Sequence, residues 1–170
     1  RGRNNAFPAV RVPLDGGKTL RIEGKIDRVD VLPGSDGGKY VKIIDYKSGS
    51  ETFRADEAKS GWRLQLMLYL EGAARGVGAE PAGIFYFPVG EPSVCADGCE
   101  DAELSERVTR TVEKSFQMNG LMVDDPQVIR SVAGDFVKDS AVVPLSRKKD
   151  GTLSKVSEAS VLTPQAVAQF

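Results

Sequence analysis

"YVKIIDYKSGS", residues Tyr40 to Ser50, begins as a buried strand begins, with Val41, Ile43 and Ile44 close together. It then sets Asp45 and Lys47 two residues apart, just before a Ser-Gly turn. Side chains alternate along a strand, so Asp45 and Lys47 project to one face and Tyr46 to the other. A single charge at the point where a strand leaves the core is costly, and a neighbour of opposite sign lowers that cost. Taken alone, the pair reads as a salt bridge at a strand end.

The preceding stretch changes that reading. "KTLRIEGKIDRVDVL", Lys18 to Leu32, alternates throughout: Leu20, Ile22, Gly24, Ile26 and Arg28 share one face, and Glu23, Lys25, Asp27 and Val29 the other. It reads as one strand. "PGSDGGK" is then a turn, and the two strands form an antiparallel hairpin that brings Asp27 beside Asp45. Two converging carboxylates suit a hard divalent cation such as Mg²⁺ or Mn²⁺. The backbone carbonyl of Tyr46 is a natural further oxygen ligand. An amine beside such an ion, here Lys47, orients or activates a water or neutralises charge building up at phosphorus.

Beyond the turn, the periodicity predicts a helix from about Ser60 to Ala74, with Trp62, Leu66, Tyr69, Leu70 and Ala73 as its apolar stripe and Gly76 and Gly78 ending it. Gln65 and Tyr69 are four apart and share the stripe side, so they are expected to look inward. A buried Gln needs partners: either it is satisfied within the core, or the pair aims at the metal site or at a nucleic-acid backbone. "PAGIFYFPV" is continuous in apolar residues and predicts a central strand. "DAELSERVTRTVEKSFQMNG" predicts a charged amphipathic helix closed by Gly120, and "DDPQVIRSV" a short helix capped by the Asp124-Asp125 pair, with Pro126 in its first turn. "AVVPLSRKKDGTLSK" suggests a short strand and a polar turn, and "TPQAVAQF" a helix capped by Thr163. The order is that of a mixed α/β domain with an antiparallel start. We expect residues 1–170 to form one domain, with the motifs between about 20 and 90 and a helical and strand extension from about 100 to 170.

Composition narrows the chemistry. The 170 residues carry 23 Lys and Arg against 24 Asp and Glu, so no global positive field marks a nucleic-acid partner. No apolar run approaches the roughly 20 residues of a membrane span. No secretory leader is visible at Arg1, and the absence of an initiator Met suggests a piece of a longer, cytoplasmic protein. There is no His, which removes a Ser-His-Asp triad and any His general base. Cys95 and Cys99 are the two cysteines, too few for a complete structural zinc or iron–sulfur site. "YKSG" lacks the Gly that a phosphate-binding loop places before its Lys. "SRKKDG", with Lys148 and Lys149, is either a solvated turn or a DNA-backbone contact.

"GKIDRVD", "IIDYKSG" and "QLMLY" together resemble the PD-(D/E)xK nuclease superfamily. The likeness is to the branch with G-x-I-D, D-Y-K and Q-x-x-x-Y motifs, found at the C-terminal end of RecB-type and AddB/RexB-type helicase–nucleases. It is closer to the AddB/RexB type, and it extends from about Leu20 to the end of the chain. The resemblance implies a restriction-endonuclease-like core, a mixed central sheet with antiparallel first strands flanked by helices, that cuts DNA with Mg²⁺ or Mn²⁺. By that likeness Asp27 and Asp45 are metal ligands, Lys47 is the catalytic lysine, and Gln65 and Tyr69 are the supporting helix motif. Arg28 and Asp30 belong to the same string in family members. Strand parity turns them away from Asp27, toward a structural or phosphate-contacting role. The implied partners are single-stranded DNA from unwound duplex and an AddA/RexA-like helicase–nuclease chain.

The chain departs from the family pattern in two ways. No acidic or His-bearing helix precedes Leu20. Cys95 and Cys99 do not occupy the positions of the family's four-cysteine iron–sulfur cluster, which this chain cannot build and which would belong to the full-length protein. The leading expectation is a metal-dependent DNA nuclease domain acting in double-strand-break repair and recombination. The alternatives are a non-catalytic nuclease-like DNA-binding or assembly module and a stand-alone Cas4-like exonuclease.

Overall fold

The computed structural model describes residues 7–35, 37–49, 53, 64–90, 92–93, 101–154, 157 and 160–163. A five-stranded mixed sheet has the order β3-β4-β5-β6-β7. Its strands are β3 (Arg28–Pro33), β4 (Lys39–Lys47), β5 (Glu80–Pro88), β6 (Asn119–Val123) and β7 (Val161–Leu162). β3 runs antiparallel to β4, β4 parallel to β5, β5 antiparallel to β6, and β6 parallel to β7. A separate antiparallel pair joins β1 (Val10–Pro13) to β2 (Thr19–Ile22). Three α-helices complete the described architecture: α1 (Gln65–Val77), α2 (Asp101–Ser115) and α3 (Pro126–Ala133).

β5 carries the continuous apolar run that a strand covered on both faces requires, and β4 is buried from Val41 to Asp45. Val41, Ile43, Ile84 and Leu121 pack on one face of the sheet against Leu66, Leu70 and Ala73 of α1. Ile44, Phe85 and Met122 pack on the other against Val128, Ile129 and Val132 of α3, with Val143 and Leu145. The parallel β4–β5 pair needs a crossover, and α1 supplies it. That helix ends where Gly78 takes the left-handed conformation (φ 61°) and its N–H caps the Ala74 carbonyl. At the start of α3 the Asp125 carboxylate accepts from Gln127 N–H (2.8 Å) and Val128 N–H (3.2 Å), with Pro126 in the first turn, as expected.

Several expectations are corrected. Lys18 to Leu32 is not one strand: β2 and β3 belong to different sheets, and residues 23–27 lie in neither. β2 instead turns back on β1 through Asp15–Gly17, where Gly16 and Gly17 have positive φ. Gly76 does not end α1 but lies inside it. Gly120 does not close a helix. α2 stops at Ser115, and Gly120 is in β6, where a Cβ would meet the Ile84 carbonyl oxygen at 2.0 Å. Close strand approach, rather than helix termination, is what this glycine permits. Within 141–154 there is no strand, only isolated bridges from Ser146 to Asp139 and from Arg147 to Leu153. The helix expected from Thr163, the first turn at Ser60 with Trp62, and both cysteines lie outside the described residues.

Candidate functional site

The D-Y-K stretch closes β4, at the carboxyl ends of the parallel β4 and β5, where open α/β sheets place their ligands. The last pair of the β3–β4 ladder is Arg28 with Ile44. Continuing that register one step puts Asp27 level with Asp45. β3 has ended there, so Tyr46 N–H finds no backbone acceptor across the gap. The Asp27 carboxylate takes it, with Oδ2 accepting at 3.2 Å. This bond ties the G-x-I-D segment to the D-Y-K strand. The Lys47 carbonyl accepts Val89 N–H from the β5 side (2.9 Å). By alternation the Tyr46 carbonyl points to the opposite edge, the side of Asp27.

Asp45 is buried, 8% exposed, on the α1 face of the sheet with Val41 and Ile43. Lys47 Nζ lies 2.7 Å from its Oδ2. This contact is an ion pair without hydrogen-bond geometry: Oδ2 is sealed from solvent and has no hydrogen-bond partner among the described residues. A buried carboxylate oxygen left in this state, on a strand whose next residue holds a second carboxylate through its N–H, fits a hard divalent cation. The donor set is all oxygen, which favours Mg²⁺ or Mn²⁺ over softer metals. Among the described residues there is no cluster of three or more His, Cys, Asp or Glu that would complete a shell. Mg²⁺ characteristically keeps several waters and takes only one or two protein carboxylates, so the pair is consistent with it.

Gln65 and Tyr69 lie together, Gln65 Nε2 donating to Tyr69 Oη at 2.8 Å; Tyr69 packs inward against the core of the α1 face as expected, and Gln65 does not. Gln65 is exposed and Tyr69 half-buried, at the first turns of α1. Tyr69 lies against Gly24, whose missing side chain makes room for the ring. A cleft of about 1090 Å³ runs past these residues and Asp27, bordered by Val10, Ile22 and Gly72. The steric reason for Gly24 lies in a residue 45 positions further along the chain, so local pattern could not reveal it.

Arg28 and Asp30 face away from the acidic pair, as parity predicts. Arg28 Nε donates to Asp30 Oδ1 at 2.7 Å, and Lys42 Nζ lies 3.4 Å from Asp30 Oδ2. Burial alone would raise the Asp30 pKa. The Arg28 hydrogen bond and the charges of Lys42 and Arg28 outweigh it and hold the carboxyl below its ordinary range. The Arg28 guanidinium is in turn held more firmly protonated by Asp30, and next by the Tyr46 hydroxyl. Lys148 and Lys149 are exposed on a turn whose flanking Leu145 and Leu153 pack on the face opposite Asp45. The structure does not bring them to the Asp27–Asp45–Lys47 group. Tyr86, which carries the Lys47 ammonium over its ring at 5.1 Å, is a neighbour that sequence pattern did not single out.

A family profile for the PD-(D/E)XK nuclease superfamily matches residues 2–142. Among curated proteins, the chain is similar to the B-type subunit of the ATP-dependent helicase/deoxyribonuclease of Alkaliphilus oremlandii, 34% identical over 93% of this chain and 14% of the relative. Proteins of the same name from Clostridium kluyveri (36% identical, 95% of this chain, 14% of the relative) and Caldanaerobacter subterraneus subsp. tengcongensis (37%, 91% and 13%) are also similar. The chain thus spans about 14% of the length of the first of these relatives.

Proposed function

Because the chain belongs to the PD-(D/E)XK nuclease superfamily, we propose that it is the metal-dependent DNA-cleaving domain of a helicase–nuclease acting in double-strand-break repair and recombination. The observation that carries this reading is the buried Asp45 carboxylate, whose Oδ2 has the Lys47 ammonium at 2.7 Å and no hydrogen-bond partner among the described residues, one step along the register from the Arg28–Ile44 pair that precedes Asp27. Members of the superfamily generally use divalent ions. Asp27, Asp45 and the Tyr46 carbonyl would hold one here. When bound, the cation would supply the positive charge that makes a water nucleophilic near neutral pH and that offsets charge on the phosphoryl oxygens.

The protein groups divide the remaining work. The Tyr46 N–H fixes the Asp27 carboxylate against the end of β4, so one acid is oriented by the backbone. Asp45 is fixed by burial and draws the Lys47 ammonium to within 2.7 Å. Lys47 can then donate hydrogen bonds to the attacking water or to a non-bridging phosphate oxygen as negative charge develops there. Hydrolysis by ion and positioning suits a chain with no His. Arg28, Lys148 and Lys149 are proposed as contacts to the DNA backbone away from the reacting phosphate, of the sequence-independent kind. The relatives' name also supports a partner helicase–nuclease chain in the full-length assembly.

The test is incubation of the full-length protein with linear single-stranded DNA and Mg²⁺ or Mn²⁺, with and without chelator. Metal-dependent release of fragments or nucleotides supports the reading. DNA retained but left uncut under all metal conditions would instead support a binding module.

A further inference from the structure

Lys47 has a flexible four-carbon stem, so an ammonium that must meet a particular water or phosphate oxygen needs more than one anchor. Asp45 is the first anchor, at 2.7 Å. The second comes from the neighbouring strand. Tyr86 is the β5 register partner of Asp45, is 5% exposed, and projects to the same face of the sheet. Its ring centroid lies 5.1 Å from Lys47 Nζ, within the range of a cation–π contact. Lys47 is only partly withdrawn from solvent, its side chain 27% exposed, so the ring restrains the ammonium without closing it off.

Tyr86 is itself held. Phe53, a buried residue from the segment between Lys47 and α1, packs on it at 5.8 Å between ring centroids. Phe53 is fixed by its own backbone: its N–H donates to Asn119 Oδ1 at 2.7 Å. Asn119, on β6, is the register partner of Tyr86 on its other side. The ring therefore sits in a frame built from β4, β5, β6 and the segment that follows the D-Y-K stretch.

We infer that Tyr86 is a positioning residue for Lys47, holding its ammonium through the ring face while Phe53 and Asn119 fix the ring. The inference rests on the nuclease reading for its consequence in catalysis, but not for its geometry. Two measurements on the full-length protein separate the two. The first is the rate at which an amine-acylating reagent modifies Lys47, read by peptide mass spectrometry with Lys148 and Lys149 as internal controls. Tyr86→Leu is expected to raise Lys47 labelling several-fold and leave the controls unchanged; Tyr86→Phe, which keeps the ring, is expected to match wild type. Unchanged Lys47 labelling in Tyr86→Leu overturns the inference whether or not the protein cuts DNA.

The second is the steady-state kinetics of single-stranded DNA hydrolysis. Tyr86→Leu is expected to lower kcat about tenfold with KM for DNA unchanged, because the ammonium is mispositioned while the DNA surface is intact. A purely structural role would instead lower the active fraction and the thermal midpoint and leave kcat per folded molecule unchanged. Should Tyr86→Leu not fold, a series of phenylalanines with increasing ring fluorination at position 86 keeps the shape and weakens the ring's hold on a cation. Lys47 labelling should then rise stepwise along the series, and a flat response overturns the inference.

Discussion

A Cβ on Gly24 would lie 2.6 Å from both the ring edge and the hydroxyl of Tyr69, so these two residues make a contact that only glycine allows. The glycine of the G-x-I-D stretch is thus seated against the tyrosine of Q-x-x-x-Y, and the Asp27 carboxylate against the backbone of D-Y-K. Gly24→Ala is expected to destabilise the protein by about 1–2 kcal/mol, the usual cost of modest overpacking. Combining it with Tyr69→Leu should recover part of that loss, since the clash is shared. Denaturant midpoints of the single and double variants check this.

The ion cluster on the other face has a defined pH signature. The Asp30 carboxyl is held below its ordinary value of 3.8 by Arg28 and Lys42, against the opposing effect of burial. The folded state therefore binds this proton at lower pH than the unfolded chain. The stabilisation is fully present above the unfolded value, about pH 4, and is lost as pH falls through the folded one. Asp30→Asn should be less stable than wild type at about pH 6, and the gap should narrow steadily below about pH 4. Urea unfolding at several pH values measures it, and a gap that widens in acid would contradict the assignment.

Much of the sheet could be read from residue order. The apolar run at β5, the Gly- and Asp-rich turn between β3 and β4, and the acidic cap with Pro126 at α3 are local signals, and each element forms where its signal lies. The Arg28–Ile44 pairing, one step short of Asp27 and Asp45, was also legible, because strand register follows from a hairpin. The break in Lys18 to Leu32 was not. Alternation alone cannot show that one half pairs with β1 and the other with β4, because both halves keep the same two-residue period. The Val10–Val12 alternation before Asp15–Gly17 was the available clue. Gln65 and Tyr69 share a face as spacing predicts, but which face the helix presents to solvent depends on the sheet beneath it.

Gly120 shows the same limit and yields a sharper prediction. A glycine after a helical pattern reads as a helix stop, yet here it lies in β6 opposite Phe85, with no room for a Cβ beside the Ile84 carbonyl. Gly120→Ala must displace backbone rather than the end of a side chain. It should cost about 3 kcal/mol, more than Gly24→Ala. Thermal or denaturant unfolding of the two variants side by side tests that order.

Asp45 and Lys47, with Asp27, are proposed as the site of metal-dependent DNA hydrolysis. The most direct test is the rate of single-stranded DNA cleavage in Mn²⁺ or Mg²⁺ by wild type, Asp45→Ala and Lys47→Ala in the full-length protein. Each substitution is expected to lower the rate by at least about a hundredfold while DNA binding is retained, as loss of a preorganised charge at the reacting centre does. Cleavage that survives both substitutions at the wild-type rate would place the reaction elsewhere on the protein.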